Sequence, residues 1–409
     1  MSALLGPLTS FMETVNSLNA NYNALSYEEL TAMGFVQRLK LYNWTFEMFS
    51  VGIVLFMFIT YRIGVSMNLS RADKFFDSIH AVLKNNLGFS RVGLATSDPN
   101  GRKMYLDQHL HTWFTTFATG RSSISSVNVQ LHLFGRNNPV NLSIDFLIGF
   151  FLPSLKFDHL EEYCEVILQP NGVYVGSDEA KVNGNANELL GNFKFTTSIV
   201  NKSVMTEVRN KNYFLSLTHV TENDKLPREY AFMSETNQLN DFIYKYAKPT
   251  FNEEVLAKVT HLLEFISFTD LPAQKPETEQ EWNSKQQPRC VIRCKVPTSK
   301  KDLKLVNDVV VAAVEVFDNF TKDLVQKSST VFITPDMLKK TKATRQQELS
   351  KIVKNAKKIA AEKALEDKKE AEKEKRRELK KSGNLEKSDQ KMKEKRERRL
   401  RNKQRTRMQ

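Results

Sequence analysis

The chain has 409 residues, of which 41% are hydrophobic and 26% are charged, so it can bury the core of one or two folded domains and is not disordered throughout. Its formal net charge of +13 lies almost entirely at one end, because residues 336–409 contain 28 Lys and Arg against 13 Asp and Glu and the rest contains 32 against 34. Three cysteines form an odd set that excludes a disulfide framework and predicts a domain facing a reducing compartment.

The N-terminal segment, residues 1–43, has no basic region ahead of an apolar run near its start. That arrangement argues against a cleaved signal peptide. We therefore expect residues 1–43 to be a short lumenal segment that precedes an uncleaved membrane anchor.

Residues 44–65 form the most apolar stretch, with no charge from Met48 to Tyr61. A spanning helix needs roughly 20 residues. The stretch reaches that length only if Glu47 lies near an interface, where a carboxylate costs less than at the bilayer centre. The stretch predicts one transmembrane helix, and the alternative is a buried core helix. The side chains expected to contact the membrane are Trp44, Phe49, Ile53, Leu55, Phe56, Phe58 and Tyr61.

The basic residues that flank the apolar stretch predict its orientation. Cells retain Lys and Arg near a spanning helix on the cytosolic side. The bias favours a cytosolic C-terminal part, which agrees with reduced cysteines and with a basic tail that faces RNA and ribosomes. Two basic residues precede the stretch and five follow it: Arg38 and Lys40, then Arg62, Arg71, Lys74, Lys84 and Arg91.

Residues 69–333 alternate apolar and polar positions in the manner of a mixed α+β domain, which we expect to be cytosolic. Helical spacing predicts a helix at 71–88 with Gly88 as its stop. A polar, Pro-containing loop is predicted at 271–288. Further helices are predicted at 237–247, 251–267 and 302–327. A period of two predicts strands at 125–134, 141–150, 163–170, 213–220 and 289–296, the last of them the final strand.

The body lacks recognisable catalytic motifs. No P-loop, glycine-rich dinucleotide turn, nucleophile elbow or His-x-x-x-His helix occurs with supporting context, so we expect no catalytic residues and no enzyme activity. Cys290 and Cys294 have CxxxC spacing, but no second Cys or His pair has metal-site spacing. His109 and His111 are the nearest candidates, and we expect them to be ordinary side chains on one face of a strand. We therefore predict neither a metal ion nor a cofactor.

Residues 334–409 predict a long basic helical tail. Thr334 can cap a helix whose first turn begins at Pro335. Beyond Leu365 the apolar positions fade, so a sustained coiled coil is not expected. A Ser-Gly-Asn sequence predicts an interruption near 382–384. The first part of the tail has an apolar stripe able to pack on another surface, namely Leu349, Ile352, Val353, Ala356, Ile359, Ala360 and Ala364.

The end of the tail has the basic density expected of a polyanion-binding segment, with ten Lys and Arg against two Glu in residues 391–409. Three interpretations remain open: neutralisation of RNA phosphates on a ribosome, attraction to anionic lipid headgroups, and a solvated charged tail. We prefer the first over the second because the tail lacks an aromatic or leucine face that would insert into a membrane. The residues predicted to bind ribosome or RNA are Lys373, Lys375, Arg376, Arg377, Lys380, Lys381, Lys391, Lys393, Lys395, Arg396, Arg398, Arg399, Arg401, Lys403, Arg405 and Arg407.

A single membrane helix, an α+β body that ends in the helix at 302–327, and a Lys/Glu/Arg tail together resemble the calumin family. This family is the coiled-coil subunit of the PAT (protein associated with the translocon) complex of the endoplasmic reticulum. The resemblance covers about residues 40–409 and includes the stretch NQLNDFIYKYAKP at 237–249. It implies a single-pass endoplasmic reticulum membrane protein that docks on translocon-bound ribosomes and shields nascent multi-pass membrane proteins within an intramembrane chaperone complex.

The resemblance also implies partners: the large ribosomal subunit near its exit tunnel, the Sec translocon, a small membrane partner resembling Asterix, and nascent multi-pass membrane proteins. Animal members of the family carry a long acidic lumenal segment associated with calcium. Residues 1–43 contain only Glu13, Glu28 and Glu29 as acids, so we do not expect calcium binding. Two alternatives stay open: an endoplasmic-reticulum-anchored ribosome or RNA tether without chaperone activity, and a lipid-binding membrane-contact protein with an apolar cavity in its body.

Overall fold

A computed structural model describes residues 17, 19–94, 104–152, 160–171, 193–247, 253–326, 333, 336–381, 390, 393–399 and 401. The chain divides into two compact units. The first is drawn from residues 1–181, 249–266 and 290–319, and the second from residues 182–248, 267–289 and 320–409. Each unit combines helices with β-strands, so the α+β prediction is confirmed.

The elements are numbered in chain order. The helices are α1 (Ala20–Asn23), α2 (Tyr27–Ala32), α3 (Phe35–Leu41), α4 (Thr45–Ala81), α5 (Pro139–Phe151), α6 (Met205–Lys211), α7 (Tyr213–Ser216), α8 (Asn240–Ala247), α9 (Glu253–Lys258), α10 (Glu279–Ser284), α11 (Lys300–Gln326) and α12 (Leu338–Lys381). The strands are β1 (Arg91–Val92), β2 (Leu106–Gln108), β3 (Trp113–Thr119), β4 (Ile124–His132), β5 (Tyr163–Pro170), β6 (Thr197–Asn201), β7 (His219–Thr221), β8 (Tyr230–Ser234), β9 (Leu263–Thr269) and β10 (Arg289–Lys295).

The first unit is organised around α4, a single helix of 37 residues. The sequence predicted a membrane helix at 44–65 and a second helix at 71–88. The structure joins them because the intervening residues contain no proline and no helix stop. A π-helical turn at Val82–Asn86 follows α4, and Gly88, with φ of +67°, ends the helical path as predicted.

The buried part of α4 packs within the first unit. Ala72, Phe75, Phe76 and Ile79 are buried at three- and four-residue spacing, which is the spacing of one helix face. Asn307 of α11 donates to the Ser78 hydroxyl at 2.8 Å, so two long helices of this unit are also joined by a hydrogen bond.

The strands of the first unit follow the order β1-β3-β4-β5-β10-β9, with β2 paired to β3. The pairs β1/β3, β3/β4, β4/β5 and β5/β10 are antiparallel. The strands predicted at 125–134, 163–170 and 289–296 are confirmed as β4, β5 and β10, and within the described residues β10 is the last strand. Alternate residues of β5 are buried, which is the pattern that revealed it.

The strand predicted at 141–150 is wrong, since these residues lie in α5. Asn141, Ser143 and Asp145 alternate with apolar residues and so imitate the period of a strand. The start signals outweigh that alternation, because Pro139 occupies the first turn and the Asn138 side chain accepts from the Asn141 N–H at 3.2 Å.

Two further predictions fail in part. In 213–220, the first four residues form α7 and only His219–Thr221 pairs as β7, because Tyr213, Phe214 and Leu215 are buried in succession. The helix predicted at 251–267 ends at Lys258 and gives way to β9. Nearly every residue of β9 is buried, and a short apolar run buried on both faces has no period that separates strand from helix.

The second unit contains β6, β8 and β7, which pair in that order, together with the end of β9 next to β6. Hydroxyl pairs cross its strands, as between Ser198 and Ser267 at 2.7 Å. Phe242 of α8 lies at the centre of an aromatic cluster, with ring centroids 5.0 to 5.6 Å from those of Phe195, Phe320 and Phe268. The helices predicted at 237–247 and 302–327 are confirmed as α8, which a 3₁₀ turn precedes, and α11. The loop predicted at 271–288 contains α10, whose Trp282 is buried.

Gly64 permits the closest approach between α4 and the chain that enters α5, and it yields the first prediction. A Cβ atom at Gly64 would lie 2.1 Å from the carbonyl oxygen of Arg136, which is backbone and cannot move away freely. Gly64→Ala is expected to lower the free energy of unfolding of the first unit by roughly 1–3 kcal/mol. Urea unfolding in detergent, read by the thiol reactivity of buried Cys164, Cys290 and Cys294, measures the loss.

Gly52 provides the matched control on the same helix, since a Cβ there would meet nothing within 4 Å. Gly52→Ala should leave unfolding unchanged or raise the stability by up to about 1 kcal/mol through helix propensity. Equal destabilisation by both variants would contradict the close contact.

Candidate functional site: an apolar helix and a basic helix

The N-terminal part of α4 is a helix with its apolar side chains outside. Among the described residues, the helical path Thr45–Asn86 is the one long and apolar enough to cross a membrane, and its most apolar 18 residues have a mean hydropathy of 1.9 with 6% buried. The low burial contradicts the alternative of a buried core helix. All seven side chains predicted to contact the membrane, Trp44, Phe49, Ile53, Leu55, Phe56, Phe58 and Tyr61, are exposed.

The start of α4 is fixed by polar contacts with the short helices before it. The Trp44 indole N–H donates to the Leu39 carbonyl oxygen at 2.9 Å, and the Tyr42 hydroxyl donates to the carboxylate of Glu47. The Glu47 charge, which the sequence placed near one end of the membrane helix, therefore has a hydrogen-bond donor one turn outside that helix.

Toward its other end, α4 has its first buried residue at Gly64. One turn later, Asn68 is fully buried and its amide donates to the carbonyl oxygens of His111 and Phe134, both at 2.9 Å. The guanidinium of Arg136 donates to the Asn68 side-chain oxygen at 3.1 Å. The backbone of two loops is thereby tied to α4 where its burial begins.

Glu162 completes this polar cluster. Its carboxylate accepts from Arg71 at 3.1 Å and from Arg136, and it also accepts from the Phe134 N–H at 3.2 Å. Burial alone would raise the pKa of Glu162, but the hydrogen bonds from Arg136 and Phe134 and the charges of both arginines hold that pKa below its usual range. The carboxylate thus stays ionised and holds the two arginines beside α4.

The second candidate element is α12, which the second unit holds by its first turns. Leu338, Thr341, Arg345 and Ile352 are buried at spacings of three, four and seven residues, so one face of the helix is covered. The helix α10 packs against α12. Of the predicted apolar stripe, Ile352 is buried and Leu349, Val353 and Ala356 are half-buried, whereas Ile359, Ala360 and Ala364 are exposed.

A buried ion cluster fastens this part of α12. Arg345 donates through Nε to Glu235 at 2.8 Å, and through Nη1 and Nη2 to Asp270, both at 2.7 Å. All three side chains are buried. The paired donors of a guanidinium match the paired oxygens of a carboxylate, so the cluster fixes both the position and the rotation of α12. No short-range sequence pattern predicts this cluster, because its three residues are far apart in the chain.

The cluster has two carboxylates for one guanidinium. Burial of its carboxyl group raises the pKa of Glu235 to about 7, against the lowering effect of Arg345, and the nearby charge of Asp270 adds to the rise. The two acids raise the pKa of Arg345, which stays charged. Glu235 is the group of the cluster that takes up a proton near neutral pH.

Beyond Ala356, every described side chain of α12 is exposed, including Ile359 at 54% and Leu365 at 58%. Of the predicted binding residues, Lys373 and Arg377 are exposed on this helix, and Lys375, Arg376, Lys380 and Lys381 belong to its last turns. A further six are exposed and helical: Lys393, Lys395, Arg396, Arg398, Arg399 and Arg401. Lys391, Lys403, Arg405 and Arg407 lie outside the described residues, as do the predicted cap at Thr334 and Pro335 and the interruption at 382–384.

Within the described residues there is no cluster of three or more His, Cys, Asp or Glu that could hold a metal ion. The three cysteines are buried free thiols, and burial raises the pKa of Cys290. His109 and His111 do not lie in a strand, since they flank Leu110 in a loop in which all three residues have positive φ. The Asp107 carboxylate is hydrogen-bonded to the His111 ring.

Comparisons with known proteins relate the chain to one family and to two endoplasmic reticulum membrane proteins of yeasts. A family model described as PAT complex subunit CCDC47 matches residues 43–399. The UPF0674 endoplasmic reticulum membrane protein YNR021W of Saccharomyces cerevisiae is 51% identical over 363 residues, which cover 89% of this chain and 88% of the yeast protein. The UPF0674 endoplasmic reticulum membrane protein C2G5.01 of Schizosaccharomyces pombe is 25% identical over 252 residues, which cover 61% of this chain and 60% of that protein.

Arg345 carries the second prediction. Arg345→Met would leave Glu235 and Asp270 buried without their cation, and loss of one partner of a buried ion pair costs about 3–5 kcal/mol. The free energy of unfolding of the second unit should fall by that order. Trp282 fluorescence during urea unfolding measures it, in a chain whose Trp44 and Trp113 are replaced by Phe.

The matched control is Lys342→Met, which also replaces a cation by Met, at an exposed position three residues earlier on the same helix. It should change the free energy of unfolding by less than about 0.5 kcal/mol. A loss at Lys342 as large as that at Arg345 would refute the role of the ion cluster.

The third prediction concerns pH. Because the pKa of Glu235 is about 7 in the folded chain and 4.5 as an ordinary value, the folded chain binds this proton more tightly. The stability contributed by protonation is complete below pH 4.5 and is lost as the pH rises through 7. Glu235→Gln cannot titrate and should flatten this part of the stability profile. An unchanged profile, measured by the Trp282 reporter between about pH 4.5 and pH 8, would contradict the assignment.

Proposed function

The chain belongs to the PAT complex subunit CCDC47 family, and from this membership we propose that it docks on translocon-bound ribosomes and assists the biogenesis of multi-pass membrane proteins. In this proposal it is an anchored subunit of an intramembrane chaperone complex rather than an enzyme. The observation that carries the proposal is the exposed basic helix beyond Ala356, on a chain with an exposed apolar helix that can anchor it.

The chain is an endoplasmic reticulum membrane protein with one candidate spanning helix, α4, and we propose that its C-terminal part lies in the cytosol. The names of the two yeast relatives support the location. The excess of Lys and Arg after residue 61 over those before it supports the orientation. The buried, free thiols of Cys164, Cys290 and Cys294 are compatible with a reducing compartment.

Ribosome docking is the role that we assign to the C-terminal basic residues. RNA phosphates attract Lys and Arg without reading sequence, and each contact releases condensed counterions, so the attachment must weaken with salt. The side chains of Lys393–Arg399 and Arg401 are exposed, so solvent and anions can reach them. The proposed ligand is the large ribosomal subunit near its exit tunnel.

The chaperone role is assigned from the family. A polar or charged group within a bilayer is costly until a partner helix satisfies it. A protein held beside the ribosome and the Sec translocon can shield such a helix while the rest of a multi-pass protein is made. The proposed partners are a small membrane protein resembling Asterix and the nascent multi-pass protein itself.

The fourth prediction tests ribosome docking. Substitution of Lys393, Lys395, Arg396, Arg398, Arg399 and Arg401 by Gln should release the full-length protein from ribosomes at lower salt than the native chain. If all six meet phosphates, the slope of log affinity against log salt should weaken by about 4 to 6. Sedimentation of detergent-solubilised microsomal ribosomes over a salt series provides the measurement.

The control neutralises acids instead of bases: Glu366, Glu370 and Glu374 to Gln on α12 should leave retention equal or stronger. A truncation after Ala356 is preferable to one before Asp336, because the shorter chain would also lose Arg345 and the ion cluster. If the six-Gln variant and the native chain stay on ribosomes equally at every salt concentration, the docking assignment is wrong. Docking without crosslinks to nascent multi-pass proteins would indicate a ribosome tether.

A further inference from the structure

The helix α5 has its apolar side turned outward. None of its 13 residues is buried, and the side chains of Phe150 and Phe151 are 79% and 74% exposed. The exposed face also includes Val140, Ile144, Phe146 and Leu147. A soluble protein normally turns such a face toward its core.

The opposite face of α5 is directed toward the protein. Leu142, Asp145, Ile148 and Gly149 are half-buried, and a Cβ at Gly149 would lie 4.0 Å from the Leu160 side chain. The one charged residue of the helix, Asp145, is therefore on the half-buried face. If α5 were rotated about its axis to bury the phenylalanines, Leu142 and Ile148 would become exposed instead. Either orientation leaves apolar side chains of α5 in contact with the surroundings.

The helix α5 starts beside Gly64, the residue at which α4 first becomes buried. The carbonyl of Arg136 touches α4 at Gly64, and α5 begins three residues after Arg136. The neighbouring loop presents Leu110, 73% exposed, and its carbonyl accepts from the Asn137 amide at 3.2 Å. An exposed leucine and an exposed apolar helix thus lie in the first unit next to the boundary of the candidate membrane segment.

Length decides how such a helix can meet a bilayer. A spanning helix needs roughly 20 residues, and an apolar helix of 10 to 14 residues is typical of a core or an interfacial segment. The exposure of α5 excludes a core helix within the described residues. Interfacial helices bury one apolar face at the boundary between headgroups and acyl chains.

We propose that the outer face of α5, together with Leu110, inserts into the membrane leaflet that α4 enters at Gly64. The occupant of this face is the interfacial layer of lipid. The proposal rests on the anchoring role of α4 proposed above, because that helix sets the level of the bilayer. With both elements inserted, the first unit has two separate contacts with one leaflet, and its tilt relative to the membrane is fixed.

Fluorescence quenching tests the insertion in the full-length chain. Single cysteines at Leu147 and Phe150 are labelled with nitrobenzoxadiazole, and the protein is reconstituted in phosphatidylcholine vesicles whose acyl chains carry bromine near the headgroup or near the chain end. The native cysteines are buried free thiols and should not react under native conditions. Both labels should be quenched, and more strongly by the bromine near the headgroup.

Labels at two further positions serve as controls for the quenching experiment. Phe56→Cys in α4 should be quenched more by the deeper bromine, because it lies in the middle of the candidate spanning segment. Ile359→Cys in α12 matches α5 as an exposed aliphatic position and should not be quenched, which separates insertion from general adsorption of an apolar label.

Each outcome has one meaning. Quenching at Phe56 without quenching at Leu147 and Phe150 overturns the insertion of α5 and leaves the anchor intact. No quenching at Phe56 overturns the anchor and the inference with it. If the α5 labels are unquenched in vesicles but the same cysteines resist an aqueous thiol reagent in native microsomes, a protein covers the face and the lipid assignment is wrong.

Discussion

The constraint on which the first unit depends is that one uninterrupted helix serves two environments. Up to Ile63, α4 has apolar side chains on every side, and from Gly64 onward it has the buried face of a helix in a protein core. The change occurs within a single turn. It needs a residue without a side chain at Gly64, where the Arg136 backbone approaches, and a buried amide at Asn68 that satisfies two loop carbonyls.

A continuous helix across this boundary has a mechanical consequence. Backbone hydrogen bonds along α4 resist bending, and the described residues between 45 and 81 include no proline to relieve them. A membrane segment joined by a flexible linker would let the body rotate freely. Here the first unit must follow the tilt of α4, and the α5 contact proposed above would remove the remaining freedom.

The second unit binds the first turns of α12, a helix that is mostly polar. The stripe of α12 is short of large apolar residues, and the ion cluster around Arg345 compensates with directional bonds. Buried ion pairs are weak sources of net stability because desolvation is costly. In this unit the ion cluster fixes the position of α12 along its axis, because a shift of α12 by one turn would separate the Arg345 guanidinium from both carboxylates.

Hydrophobic periodicity predicted the helices and strands correctly where one period dominates the sequence. It failed where the same residues also fit a second type of element. Alternation found β4, β5 and β10, and helical spacing found α8 and α11. In α5 the alternate polar residues favoured a strand, although Asn138 and Pro139 already signalled a helix. The candidate membrane segment was predictable from composition alone, because a helix surrounded by lipid has apolar side chains on all of its faces. The ion cluster was not, because Glu235, Asp270 and Arg345 are far apart in sequence and no short-range pattern pairs them.

The C-terminal part has two segments that differ in their balance of basic and acidic residues. From Lys357 to Lys381 the helix has 11 Lys and Arg against 7 Asp and Glu, so much of its charge is balanced. At about 1.5 Å per residue this stretch is roughly 36 Å long. Residues 391–407 have ten basic residues against two acids. In the proposed function the near-balanced stretch acts as a spacer and the distal residues as the RNA contact. Balanced charges attract phosphates weakly, so in the proposed function the strongest attraction for RNA comes from residues 391–407 and not from the spacer.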